Sequence, residues 1–242
     1  MTSELHSTIF FKVTSSVLVV ESLPNMESKI VSIQASRIKE VNWQNRLIKT
    51  GIFKEKVKGP VLIKKLSIDG DEQADPKYHG GEYMAVYSYA VEHYEFWKKE
   101  LSRSDLTYGM FGENVTTTDF DERATCIGDR VRFGTALLEA VQPRYPCFKL
   151  GIRFGDQQII QQFIEAERSG IYWRVLEEGL VDDGSAVEIE YRHPKKIKVS
   201  EIFDVMIGKN DSLPQLKKLF YADVIDPRWK AKLEKKMSST FA

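Results

Sequence analysis

The sequence predicts a mainly β fold with α insertions, a mixed or antiparallel barrel followed by a small three-helix C-terminal segment. Three observations carry this expectation. Short β-rich runs with partial alternation end at glycines, two stretches switch to helical spacing of apolar residues, and the texture changes after "YRHPKKIKVS".

Taken in order, "KIVSIQASRIKEV", "RLIKTGIFKEKV" and "GPVLIKKLSIDG" read as strands and hairpins. In "MAVYSYAVEHYEFWKKEL", residues Val86, Ala90, Tyr94, Trp97 and Leu101 fall at helical spacing and predict one helix with a packed stripe. "RVRFGTALLEAV" predicts two strands turning at Gly134. "GDQQIIQQFIEAERSG" predicts a second helix, with Asp156 as its cap, Ile159, Ile160, Phe163 and Ile164 on its buried face, and Gly170 as its stop. "GIYWRVLEEG" and "AVEIEYR" supply two further strands. Beyond "RHPKKIK", the expected hinge, "SEIFDVMIGK" opens on Ser200, "SLPQLKKLFYA" follows, and "DPRWKAKLEKKM" has Asp226 at the cap and Pro227 at the first helical position. Three short helices are too small to stand alone and are expected to dock on the barrel or on a partner.

At 242 residues the chain can bury one substantial core. Lys plus Arg and Asp plus Glu both total 35, so no basic excess suggests stable nucleic-acid binding. Two cysteines, Cys126 and Cys147, do not make a disulfide framework; a single bridge between them stays open, with a reducing compartment preferred. Cys126 reads as a small buried residue at a strand start. The apolar "STIFFKVTSSVLVV" is interrupted by Lys12 and preceded by Glu4 without a basic run, which argues against a secretory signal. No stretch is long enough to span a bilayer, so a cytoplasmic protein without a membrane is expected, with a weak membrane or targeting role for residues 8–20 as the minor reading.

Four stretches are candidates for chemistry. "DGDEQADPKYHGG" sets His79 beside Gly80–Gly81, either an anion-binding or proton-transferring histidine or simply the support of a bend before a helix. "YGMFGENVTT" offers Asn114, able to hold a carbonyl or ring nitrogen, or to tie down its own turn. In "CIGDRVRFG", Asp129 most simply stabilises backbone. "AVQPRYPCFKLGIRFG" places Cys147 between Arg144 and Lys149, whose positive charge favours a thiolate where the three converge. A thiolate is a nucleophile or a soft-metal ligand, and bland core packing of Cys147 also stays open. Zinc is poorly supported, because there is no CxxC pair and the histidines lack ligand spacing. A papain-like Cys147–His79 pair is imaginable, although nothing in the sequence shows that the two approach.

The ordered stretches "GDEQADPKYHGGEYMAVYSYAVEHYEFW", "GMFGENVTT", "GDRVRFGTALLEAVQPRYPCFKL" and "SGIYWRVLEEG" resemble the MOSC family, the molybdenum-cofactor sulfurase C-terminal domain fold, and specifically its YiiM-like branch. The match spans roughly residues 27 to 192. It implies an N-terminal extension over 1–25, a MOSC domain with a β-barrel-like fold over 26–192, and a linker with a three-helix segment over 193–242. Met26 then becomes a candidate initiation site. The resemblance implies binding of molybdenum cofactor (molybdopterin), with Cys147 as the molybdenum ligand and with Arg144, His79, Asn114, Lys149 and, more remotely, Arg174 around its phosphate and pterin. The corresponding reaction is reduction of an N-hydroxylated base or amine, such as 6-hydroxylaminopurine, with His79 the first candidate for the proton. Without an iron–sulfur or Rossmann signature, two electrons must come from a separate reductase. A homodimer is allowed. The alternatives are a cofactor carrier or sulfur-transfer protein, with Cys147 carrying persulfide sulfur, and a non-enzymatic interaction module using the terminal helices.

Overall fold

The computed structural model describes residues 28–239. The expected extension, its membrane reading and the proposed start at Met26 lie outside the described residues. The first half runs β1 (Ile30–Ala35), β2 (Lys39–Trp43), β3 (Arg46–Thr50), β4 (Glu55–Lys56), β5 (Val61–Lys64), β6 (Ser67–Ile68), α1 (Pro76–His79), β7 (Val86–Ala90), α2 (Val91–Glu100) and β8 (Val115–Thr117). There follow β9 (Arg130–Phe133), β10 (Ala136–Pro143), α3 (Phe148–Phe154), α4 (Gln158–Ala166), β11 (Ile171–Glu177), β12 (Gly179–Val181) and β13 (Val187–Tyr191). The chain continues into α5 (Val199–Met206), α6 (Leu213–Phe220) and α7 (Pro227–Ser239).

Helix and strand take comparable shares, so the fold is mixed α/β, and the expected mainly β barrel is corrected. The principal sheet has the order β13-β9-β10-β11-β7-β8-β1-β4 and stays open, with β13 and β4 at its edges. All its pairings are antiparallel except β7 with β8. The sheet does not close: β1 pairs with β8 along one side and with the two-residue β4 at its far end. Toward the β13 end it forms no ladder, only the isolated bridge Lys29–Ala186 with a few backbone hydrogen bonds beside it, such as Val187 N–H to Ser28 C=O at 2.7 Å. Smaller sheets, β12-β5-β6 and the hairpin β2-β3, stand apart from it.

The expected helix from Val86 to Leu101 divides into strand and helix. "VYSYA" is buried at every position and forms an interior strand, with α2 starting only at Val91. A run buried on both faces loses the alternation that would separate strand from helix by period. Asp156 does accept the Gln158 N–H at 2.9 Å at the start of α4, but the helix stops at Ala166, where Glu167 takes a left-handed conformation, before Gly170 is reached. Ile159 and Phe163 are buried in it, while Ile160 and Ile164 are only partly covered. At the terminal helices, α5 starts at Val199, so Ser200 sits inside it, whereas Asp226 accepts the Arg228 N–H at 2.8 Å where α7 begins. Asp129 braces backbone as expected, accepting the N–H groups of Cys126 and His193 at 3.0 and 2.8 Å.

Two apolar clusters result. One joins the sheet to α5–α7 through residues such as Leu138, Val199, Ile202, Leu216 and Leu233. The other is largely aromatic, built from Tyr87, Tyr89, Tyr94, Trp97, Phe111 and Phe163 with Leu150. Trp173 lies fully buried in β11, between Phe120 and Phe133, and its indole N–H donates to Ser88 Oγ at 2.7 Å. Trp173→Ala is expected to cost about 3–5 kcal/mol of unfolding free energy, read as a shift of the urea midpoint at unchanged slope.

Candidate functional site

A cleft with about 670 Å³ of empty space, the solvent at its open mouth included, lies where the end of β10, α1 and the loop before β8 meet. Its lining includes Cys147, His79, Arg144, Asn114 and Lys149, so the structure brings together five of the six residues singled out in the sequence. Arg174 is not among them. From β11 it ion-pairs with Glu139 and lies 5.4 Å over the ring of Tyr83, beside a separate depression that includes Lys65 and Glu82.

The local chain explains how these groups are presented. β10 ends at Pro143, and Pro146 leads into Cys147, which holds an extended conformation (φ −131°, ψ 170°) immediately before α3. Pro76 starts the one-turn helix α1 that ends on His79. Gly81 then turns the chain at φ 88°, which a side chain would strain. Gly112 has φ 79° in the cleft wall, and a Cβ there would stand 3.3 Å from Ile52 and 3.7 Å from Arg144 Nη2.

Cys126 and Cys147 are both free thiols. Burial alone would raise the Cys147 thiol, but the neighbouring His79, the Arg144 guanidinium and the Lys149 backbone N–H outweigh it and bring the pKa down to about 7. Burial, with nearby Asp129, instead pushes Cys126 up. Arg144 is buried against the rings of Tyr87 and Phe163, 5.3 and 5.5 Å away. Its Nη1 and the Nδ1 of His79 have no hydrogen-bond partner among the described residues. A Cys–His hydrolase needs its imidazole oriented by a carboxylate or amide, and the buried Nδ1 of His79 has no such partner among the described residues.

Asn114 has its amide engaged by the protein. Its Oδ1 accepts the Tyr87 N–H at 3.1 Å, and its Nδ2 donates to Asp71 Oδ2 at 3.0 Å. Asp71 in turn forms a buried ion pair with Lys54, whose pKa burial lowers despite the carboxylate. Sequence reading missed Lys54, Asp71, Tyr87 and Tyr172, all in the cleft lining. Lys54 lies outside every motif, Asp71 lies within "DGDEQADPKYHGG" as one acid among several, and the two tyrosines sit in strands whose aromatic content reads as core.

The model of the MOSC domain matches residues 75–188, and the chain is 33% identical over 207 residues to the uncharacterized protein YflK of Bacillus subtilis (strain 168), covering 86% of this chain and 93% of that one. The chain belongs to the MOSC domain family. Within the family it is related to the YiiM branch: it is 34% identical over 145 residues to protein YiiM of Escherichia coli (strain K12), 59% of this chain and 65% of that one. The crystal structure of YiiM from Geobacillus stearothermophilus superposes with a TM-score of 0.74 at 28% identity, over 87% of this chain and 99% of that one. The described residues contain no helix long and apolar enough to cross a membrane.

MOSC domains bind molybdenum cofactor, and the cleft can be tested against that group. Among the described residues no cluster of three His, Cys, Asp or Glu side chains could hold a bare metal ion. A metal arriving with its own sulfur and oxygen donors needs only one soft ligand from the chain, which Cys147 supplies. The buried, unpaired Nη1 of Arg144 calls for an anion. The residues therefore fit an anionic, pre-ligated cofactor. In the cofactor-free chain, with Cys126→Ser to isolate the site, Cys147 thiolate absorbance at 240 nm is expected to rise with pH through about 7. His79→Ala should move that midpoint upward, toward the ordinary thiol value.

Proposed function

We propose that this MOSC protein is a molybdenum-cofactor-dependent reductase of N-hydroxylated substrates such as 6-hydroxylaminopurine. The observation that carries the reading is the Cys147 thiol, tuned to about 7 beside a buried arginine with an unpaired nitrogen. When bound, the cofactor supplies a two-electron redox centre with affinity for oxygen. The overall change is R–NHOH + 2 e⁻ + 2 H⁺ → R–NH₂ + H₂O.

The chain's part in this is binding, orientation and proton supply. Cys147 presents a thiolate at neutral pH as the molybdenum ligand, held in place by the strand end before it and the helix after it. Arg144 directs its unpaired N–H groups at the cofactor's negative groups, with its plane supported by Tyr87 and Phe163. Lys149 adds positive charge at the rim. His79 offers its unpartnered Nδ1 to hold or deliver a proton near the Cys147 sulfur. Asn114 orients the wall through Tyr87 and Asp71. The electrons come from a separate reductase.

Chain produced with ample molybdate should carry molybdenum and pterin and, with a reducing dye, convert 6-hydroxylaminopurine to adenine. Cys147→Ser should lose the metal. Retention of stoichiometric molybdenum by that variant would remove Cys147 as ligand, and a loaded protein that reduces no N-hydroxylated compound would sink the reaction. A further expectation concerns Arg144. Replacing a buried unpaired charge by an apolar side chain of similar length is commonly neutral or stabilising. Arg144→Met should therefore match or exceed the parent Tm without cofactor and yet lose cofactor retention. A purely structural arginine would give the reverse, a lowered Tm with cofactor kept.

A further inference from the structure

A second pocket adjoins the cleft and shares a wall with it. Tyr145, half-exposed in the turn between Arg144 and Cys147, lines both. The remaining walls are Met206 at the end of α5 and Trp229, Lys232, Lys235 and Lys236 of α7. The pocket has about 900 Å³ of empty space and a mainly apolar surface. The Lys232 ammonium lies 4.3 Å from the Trp229 ring centroid, and both Lys232 and Lys235 are exposed. Lys236 is anchored to Asp211 at 2.7 Å.

Two features tie this pocket to the chemistry. First, α7 sits beside the site: Arg228 Nη1 donates to the carbonyl of Lys77 at 3.5 Å, within the helix that ends at His79. Second, α7 concentrates charge in a chain that is neutral overall. Over Pro227–Ser239 it has Arg228, Lys230, Lys232, Lys235 and Lys236 against one acid, Glu234. Ammonium groups around an aromatic floor attract a ligand that combines a flat or apolar body with negative charge.

We propose that this pocket is the distal substrate subsite, taking the anionic part of a phosphorylated aromatic compound whose reacting end passes Tyr145 into the Cys147 cleft. The inference rests on the reductase reading and narrows its substrate class from free N-hydroxylated bases to nucleotide-sized N-hydroxylated phosphates. Tyr145 and Trp229 would set the fit of the apolar body, and Lys232 and Lys235 would select for the phosphate.

The test separates this subsite from the redox chemistry. The full chain without cofactor is used in a Trp43→Phe background, because Trp43 on β2 is only partly covered. The remaining Trp97 and Trp173 are fully buried, and Trp229→Phe identifies emission from the pocket. Adenosine 5′-monophosphate, which has no N–OH to reduce, should quench Trp229 with a Kd at least tenfold below that of adenosine. Lys232→Glu with Lys235→Glu should abolish this tenfold advantage while leaving Tm and adenosine binding unchanged. Equal affinity for the two compounds, an advantage that survives the charge reversals, or quenching that persists in Trp229→Phe would each overturn the subsite. With loaded protein, kcat/KM for the N-hydroxylated adenine nucleotide should exceed that for the free base at least tenfold. Equal values would overturn the subsite and leave the reductase reading standing. Failure to reduce either compound would count against the reductase reading, with the fluorescence result still deciding the pocket.

Discussion

The cleft depends on one side chain that belongs to the backbone network as much as to the site. Asn114 accepts the Tyr87 N–H through Oδ1 and reaches Asp71 through Nδ2. Its own N–H donates to Tyr87 O at 2.8 Å, and its C=O accepts the Gln34 N–H at 2.8 Å. One residue thus fastens β1 and β7 and the loop that supplies Asp71. Buried polar groups are tolerated when every partner is present, and this chain of bonds lets a lysine, Lys54, be buried in the same wall through its pairing with Asp71. Removing the amide would leave the Tyr87 N–H without a partner inside the protein, and Asp71 would lose one of the bonds that compensate its burial.

Against that settled wall, the opposite side of the cleft is electrostatically incomplete. Arg144 is as buried as Lys54 but has no carboxylate; it is supported by aromatic faces and retains a bare nitrogen. Burial raises the phenols of Tyr87 and Tyr172, that of Tyr87 well above its usual value, even though Arg144 pulls the other way, so neither supplies a counter-anion at neutral pH. The Cys147 thiolate meets part of this need, and the remainder is an opening for negative charge from outside. A site of this kind holds fold stability below what an apolar lining would give, in return for affinity for an anion.

How much of this was legible in the sequence follows from how local each feature is. Cys147, Arg144 and Lys149 lie within one short turn bounded by prolines, and His79 precedes two glycines, so short-range chemistry marked them and the family resemblance placed them together. Asn114 was legible as a residue, but its partners are set by strand pairing across tens of residues, so turn support looked like its simplest role. Lys54, Asp71, Tyr87 and Tyr172 converge only through tertiary structure, and Tyr87 lay inside a segment read as helix because a fully buried strand has lost its period. Arg174 shows the converse: its motif suggested the site, yet it stands two residues beyond Tyr172 on the same face of β11, far enough along the strand to pair with Glu139 outside the cleft. Barrel closure was invisible for a similar reason, since it turns on the register of β1 against its neighbours.

The aromatic cluster accounts for the rigidity that such a site needs. Tyr87, Tyr89, Trp97, Phe111 and Phe163 pack as tilted and stacked rings, and their polar ends are satisfied: Trp97 donates to Tyr89 at 2.8 Å, Tyr89 to Arg168 O at 3.0 Å and Tyr87 to Ser169 O at 2.8 Å. Such rings have few rotatable bonds to freeze and pack into a body of low compressibility. Arg144 rests on two members of this cluster, and α3, which begins directly after Cys147, buries Leu150 in it. The guanidinium and the sulfur are thereby referred to the same rigid body. Their separation is then a property of packing, and it holds before any ligand arrives. An arginine on a flexible loop would have to be ordered at the moment of binding, whereas here that ordering is already complete in the folded chain.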